Sequence, residues 1–87
     1  MGSYRLLLKA SAAKELEAVS PKTDRQRLAR RIRRLAVEPR PPGCQKLVGT
    51  EERYRVRQGR YRIVYAVDDR ERAVVVFKIG HRRDVYR

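Results

Sequence analysis

Apolar positions change their spacing twice along this chain. Residues 4–8 (Tyr4-Arg5-Leu6-Leu7-Leu8) form a short apolar run that stops at Lys9, and its brevity predicts a strand rather than a helix. Ser11 is placed to cap a helix over 12–19, with Leu16 and Val19 as its apolar side. Ser20-Pro21 then restarts the chain as an N-cap and first-turn pair. The second helix is predicted over 21–37, because Leu28, Ile32 and Leu35 recur at helical spacing, supported by Ala29 and Ala36. The two helices are expected to form an antiparallel hairpin. Glu38-Pro39-Arg40-Pro41-Pro42-Gly43 ends it with a stiff connector.

From Cys44 onward the period becomes two. Residues 45–48 read as a short strand or extended segment, and 53–57, 61–67 and 73–79 as three consecutive strands. Gln58-Gly59 and residues 68–72 are the expected turns. Val74-Val75-Val76-Phe77 is continuously apolar, which predicts a central strand covered on both faces. No repeat or linker divides the chain, so residues 1–87 are expected to form a single α+β domain: an N-terminal strand and a helical hairpin packed on a mostly antiparallel β-sheet.

Charge changes the picture more than size does. The 87 residues carry 23 Lys+Arg against 10 Asp+Glu, a net +13, and Lys9, Lys14, Lys22, Lys46 and Lys78 are the only lysines. Arginine suits bidentate contact with phosphate and stacking on bases, so this balance points to nucleic acid or an acidic protein partner. Cys44 is the only cysteine and His81 the only histidine, which excludes an intramolecular disulfide and a Cys/His zinc site; Cys44 reads as a small apolar filler. No metal or cofactor is called for. No apolar run approaches the roughly 20 residues of a membrane span, and Arg5 interrupts the N-terminal apolar stretch, so neither membrane nor signal peptide is expected and a cytoplasmic location is.

The charged positions fall into three groups. With a two-residue turn at Gln58-Gly59, Arg57 faces Arg60 and Arg55 faces Arg62, all on one sheet face, while Tyr54, Val56, Tyr61 and Ile63 pack on the helices. Opposed like charges cost stability, and such violations often mark function. The second group, Gly80-His81-Arg82-Arg83-Asp84-Val85-Tyr86, adds cations and a ring at a strand exit; spacing alone leaves Tyr86 equally a core aromatic or a stacking platform for a base. The third is the helical stripe of Arg27, Arg30, Arg31 and Arg34, suited to an RNA backbone read by shape and phosphate.

Through Tyr54-Arg55-Val56-Arg57, Gly59-Arg60-Tyr61-Arg62-Ile63-Val64-Tyr65 and the segment from Gly80 to Tyr86, the chain resembles the RelE/ParE toxin superfamily, and within it the RelE branch. The likeness covers nearly the whole chain. It implies a RelE-like fold and a ribosome-dependent mRNA interferase that cuts the codon exposed in the A site without a metal. It further implies a cognate acidic antitoxin, with operator DNA bound only through the toxin–antitoxin complex. Carried over by residue, Arg55 and Arg57 take positions where well-known RelE members have functional lysines. Arg62, Arg82 and Tyr86 match catalytic positions, and His81 falls where relatives use histidine or lysine. Arg27, Arg30, Arg31, Arg34, Arg60 and Arg83 are left as further RNA contacts. Arg87 follows the matched tyrosine directly, so the C-terminal helix of some members is not expected. The resemblance leaves two alternatives: a ParE-like inhibitor of DNA gyrase, against which Arg62, Arg82 and Tyr86 argue, and a non-catalytic RNA-binding module.

Overall fold

The computed structural model describes residues 3–49 and 52–81. In chain order the elements are β1 (Arg5–Leu8), α1 (Ala10–Glu17), α2 (Lys22–Leu35), β2 (Gln45–Lys46), β3 (Arg53–Gln58), β4 (Tyr61–Asp68) and β5 (Ala73–His81). One five-stranded sheet has the order β1-β5-β4-β3-β2, with β1 parallel to β5 and every other pairing antiparallel. The two helices lie on one face. Ala12, Val19, Leu28, Ile32 and Leu35 meet Tyr54, Val56, Ile63, Tyr65, Val67, Val74, Val76 and Ile79 in one core. Burying each of the large aliphatic side chains contributes roughly 1.5–3 kcal/mol.

Several boundaries differ from those expected, each for a local reason. The first helix starts at Ala10, not after Ser11. Lys9 N–H still donates to the Val76 carbonyl at 2.9 Å while the Lys9 carbonyl takes the first helical bond from Ala13 at 2.9 Å, so the sheet fixes the start and Ser11 caps nothing. In α2, Pro21 is the N-cap rather than the first helical residue: it stays extended at ψ 173° and its carbonyl accepts from Asp24 N–H at 3.0 Å. The helix ends at Leu35, two residues before the expected end, where i−3 bonds from Ala36 and Val37 tighten the last turn.

The β3–β4 turn is Gly59-Arg60, not Gln58-Gly59: Gln58 pairs with Tyr61 and Arg57 with Arg62. Gly59 has φ +61°, the left-handed value that a two-residue turn with glycine first demands; the expected placement would have forced it on Gln58. The register therefore moves by two residues. Side chains repeat every two, so the faces survive and only Arg60 leaves for the turn. The apolar strand β5 is interior but second from the edge, and β4 is central. Among the described residues no element covers its second face: Val75 and Phe77 are half-buried, with Arg53 stacked 4.3 Å over the Phe77 ring and Lys9 at 5.5 Å. Long basic side chains shield this face in place of a second layer.

Candidate nucleic-acid interface

Strand alternation puts Arg55 and Arg57 of β3 and Arg62 of β4 on the sheet face away from the helices. Arg57 stands opposite Arg62, which in turn pairs with Gly80 of β5; Arg55 stands opposite Val64. Arg62 is 5% exposed, a nearly buried cation beneath the exposed Arg57. Arg55 is oriented by Gln45, whose side-chain oxygen accepts from the Arg55 Nε at 3.0 Å. Gln45 reaches it because β2 pairs Gln45 with Arg55 directly. Arg60 is exposed at the hairpin tip, apart from these three.

The pairing of β2 stops at Gln45, so among the described residues β3 beyond Arg55 is an open edge. Around that edge the sheet and the helical stripe meet. A cleft of about 400 Å³ is lined by Arg55, Arg57, Gln45, Gly43 and Arg31. A second, of about 190 Å³, is lined by Arg31 with Arg27, Arg30, Arg34 and Gln58. Arg31 belongs to both. Among the described residues, Arg27, Arg30, Arg31, Arg34, Arg57 and Arg60 form no ion pair. The fold thus joins two basic groups that are distant in sequence, through Gln45, Gln58 and Gly43, which sequence reasoning missed. The signal for Gln45 was there in the strand reading of 45–48, but only the observed register aligns it with Arg55.

His81 is placed differently. It pairs with Tyr61, and its ring meets the Tyr61 ring edge-on with centroids 5.8 Å apart. Tyr61 packs against the core on the helix side, so the His81 ring lies across the sheet from Arg57 and Arg62. Arg82, Arg83 and Tyr86 lie outside the described residues. No group of three or more His, Cys, Asp or Glu side chains that could hold a metal occurs among the described residues, and no helix among them is long and apolar enough to cross a membrane. What the arrangement offers is guanidinium donors converging on a cleft, chemistry suited to a phosphodiester.

Two helices on a mostly antiparallel five-stranded sheet, with arginines on the far face, define an α+β toxin fold of the RelE kind. The RelE toxin in the archaeal RelE–RelB complex from Pyrococcus horikoshii superposes with a TM-score of 0.82 at 29% identity, covering 94% of this chain and 98% of that one. The isolated Escherichia coli RelE toxin gives 0.78 at 28% identity, covering 97% of this chain and 92% of that one. Toxin RelG of Mycobacterium tuberculosis is 39% identical over 46 residues, 53% of this chain and about half (49%) of that toxin's length. The family model for the ParE toxin of type II toxin–antitoxin systems matches residues 6–86. The chain belongs to this toxin family, within the RelE/ParE superfamily.

Proposed function

We propose that the chain is a single toxin domain spanning 1–87 and acts as a ribosome-dependent endoribonuclease, cutting mRNA in the A site and so blocking translation. The observation that carries this reading is the Arg55, Arg57 and Arg62 cluster on the sheet face away from the helices. In the proposed step the RNA 2′-hydroxyl attacks the adjacent phosphorus, the 5′-oxygen leaves, and the arginines stabilise the charge that builds on the phosphoryl oxygens. Arg82 and Tyr86 are assigned to the same step from the family resemblance. Arginine stays protonated near neutral pH and cannot be the base, so proton transfer falls to His81, to Tyr86 or to groups of the ribosome and RNA. The His81 ring faces Tyr61, so His81 serves only if substrate wraps the end of β5. Arg27, Arg30, Arg31, Arg34, Arg60 and Arg83 serve as RNA contacts. The partners are ribosome and mRNA, and an acidic antitoxin that neutralises the toxin in the cytoplasm; operator DNA is reached only through that complex. Support for the antitoxin comes from relatives solved as RelB–RelE complexes.

The family model bears the name of ParE, and this favours a second reading, inhibition of DNA gyrase without RNA cleavage. Primer extension on mRNA from induced cells, beside a supercoiling assay with purified gyrase, separates the two. Codon-spaced cuts that vanish in Arg57→Ala,Arg62→Ala support the nuclease. Uncut mRNA with blocked supercoiling would replace it.

A further inference from the structure

We infer that the RNA strand does not stop at the sheet face but turns around the open edge of β3, placing a flanking phosphate on Arg31 and the next on the α2 stripe. This deepens the nuclease reading and rests on it for the identity of the bound polymer, a single strand of RNA. Three observations on the molecule carry it. The clefts on the two sides of the edge share one wall, Arg31, so they form one groove. β2 covers β3 only as far as Gln45–Arg55, and no other described residue pairs with that edge beyond it. The Nε of Arg31 is buried with no hydrogen-bond partner among the described residues, so no internal acceptor fixes that edge of its guanidinium at the junction.

Chemistry and shape select the ligand. The groove presents guanidinium and amide groups, and among the described residues no carboxylate lines it; Asp24 and Glu38 stand in adjoining clefts, Asp24 beside Arg27 and Glu38 beside Arg31 and Arg34. Such a path fits a chain of regularly spaced phosphates bounded at a few nucleotides. A duplex is too stiff to fold around a single strand edge, whereas a single strand bends there.

The test is binding, separate from cleavage. A fluorescent 2′-O-methyl RNA 12-mer, which lacks the attacking hydroxyl, is titrated with the purified chain at several salt concentrations and followed by anisotropy. For single strands the salt slope changes by about 0.7 per phosphate contact, so Arg31→Gln should flatten it by about 0.7 and weaken binding about fivefold at 0.1 M salt. Arg30→Gln,Arg34→Gln should flatten it further. Arg31→Lys should restore most of it, which separates charge from packing. Arg33→Gln, an exposed arginine of α2 that lines neither cleft, should leave the slope unchanged. Circular dichroism verifies folding, and the Arg30, Arg34 pair keeps the test decisive if Arg31→Gln unfolds. If the groove variants match Arg33→Gln, if the 12-mer does not bind, or if they lose only duplex RNA, the path is wrong. Absent cleavage on ribosomes with these slopes intact would overturn the nuclease reading alone.

Discussion

Arg40 and Arg57 sit at opposite ends of the β3–β4 hairpin and have opposite surroundings. Arg40, in the connector after α2, donates to Tyr54 at 2.8 Å, Glu52 at 2.6 Å and Asp69 at 2.9 and 3.2 Å, and its guanidinium lies 5.2 Å over the Tyr54 ring. Tyr4 donates to Asp69 at 2.7 Å and Tyr54 to Glu52 at 3.0 Å, so one cation ties the connector to the starts of β1 and β3 and to the β4–β5 turn. Arg57 is exposed, faces Arg62 across the ladder, and has no ion pair among the described residues. The same residue type closes the fold at one end and leaves donors for a ligand at the other. Net charge alone does not separate these roles; the position of the carboxylates does, with Glu52, Asp68, Asp69 and Glu71 all at the Arg40 end.

The strongest way to break this comparison is to exchange the outcomes. Arg57→Ala,Arg62→Ala should lower single-turnover mRNA cleavage on ribosomes by at least about 10²–10³-fold, as loss of a charge-stabilising donor does. Arg57→Ala alone should leave the melting temperature unchanged or raise it, because it removes a like-charge pair. A lowered melting temperature with full cleavage would make Arg57 a structural residue. Arg40→Ala should behave in reverse. Its partners are exposed and screened, so the loss is about 1–2 kcal/mol, a fall of about 4–16 °C in Tm, with cleavage within a few-fold of wild type once folded.

The distance between partners explains which of these features could be read from sequence. The apolar periods of Leu28, Ile32 and Leu35 and of Tyr54, Val56 and Ile63 are local, and all six are buried as expected. The faces of the arginine hairpin were legible for the same reason, and they survived an error in the turn because a register change of two residues preserves them. The Arg40 contacts join residues 12, 14 and 29 positions apart, with no periodicity to announce them. The Arg31 junction depends on where β2 stops pairing, and the side taken by His81 depends on the register of β5. These are tertiary facts. Helix starts were misread because Lys9 and Pro21, not the serines, take the cap positions: sheet bonding in one case and an extended proline in the other overrode side-chain capping preference.

A smaller effect tests the interior between the two ends. The Tyr65 hydroxyl donates to the Pro39 carbonyl at 2.7 Å, and its ring stacks on Tyr54 with centroids 5.8 Å apart. Burial pushes its pKa well up, with the Cys44 thiol acting the same way. A tyrosine raised in the fold holds stability that is complete below the ordinary value near 10 and lost as pH climbs beyond it. Tyr65→Phe should therefore cost about 1 kcal/mol at neutral pH and flatten the alkaline limb of a urea-midpoint profile. An unaltered limb would assign alkaline sensitivity to other groups.

The smallest effect sharpens the Arg40 end itself. Hydrogen bonds from Arg40 first, then from Tyr54, hold the Glu52 carboxyl below its usual range, and Arg40 followed by Tyr4 does the same for Asp69. Depressed carboxylates contribute stability that is present above the ordinary carboxylate range and lost as pH falls through the folded values. With ordinary values near 4, the loss should begin below about pH 5. The large net positive charge destabilises the chain in acid whatever Arg40 does, so the useful readout is the difference between wild type and Arg40→Gln. That difference in urea midpoint should be widest at pH 7, narrow steadily toward pH 3, and shrink in high salt because both carboxylates are exposed. Were it constant from pH 7 to pH 3, Arg40 would act by packing on Tyr54 rather than by charge. The two ends of the hairpin would then differ in shape and not in where their counter-charges lie.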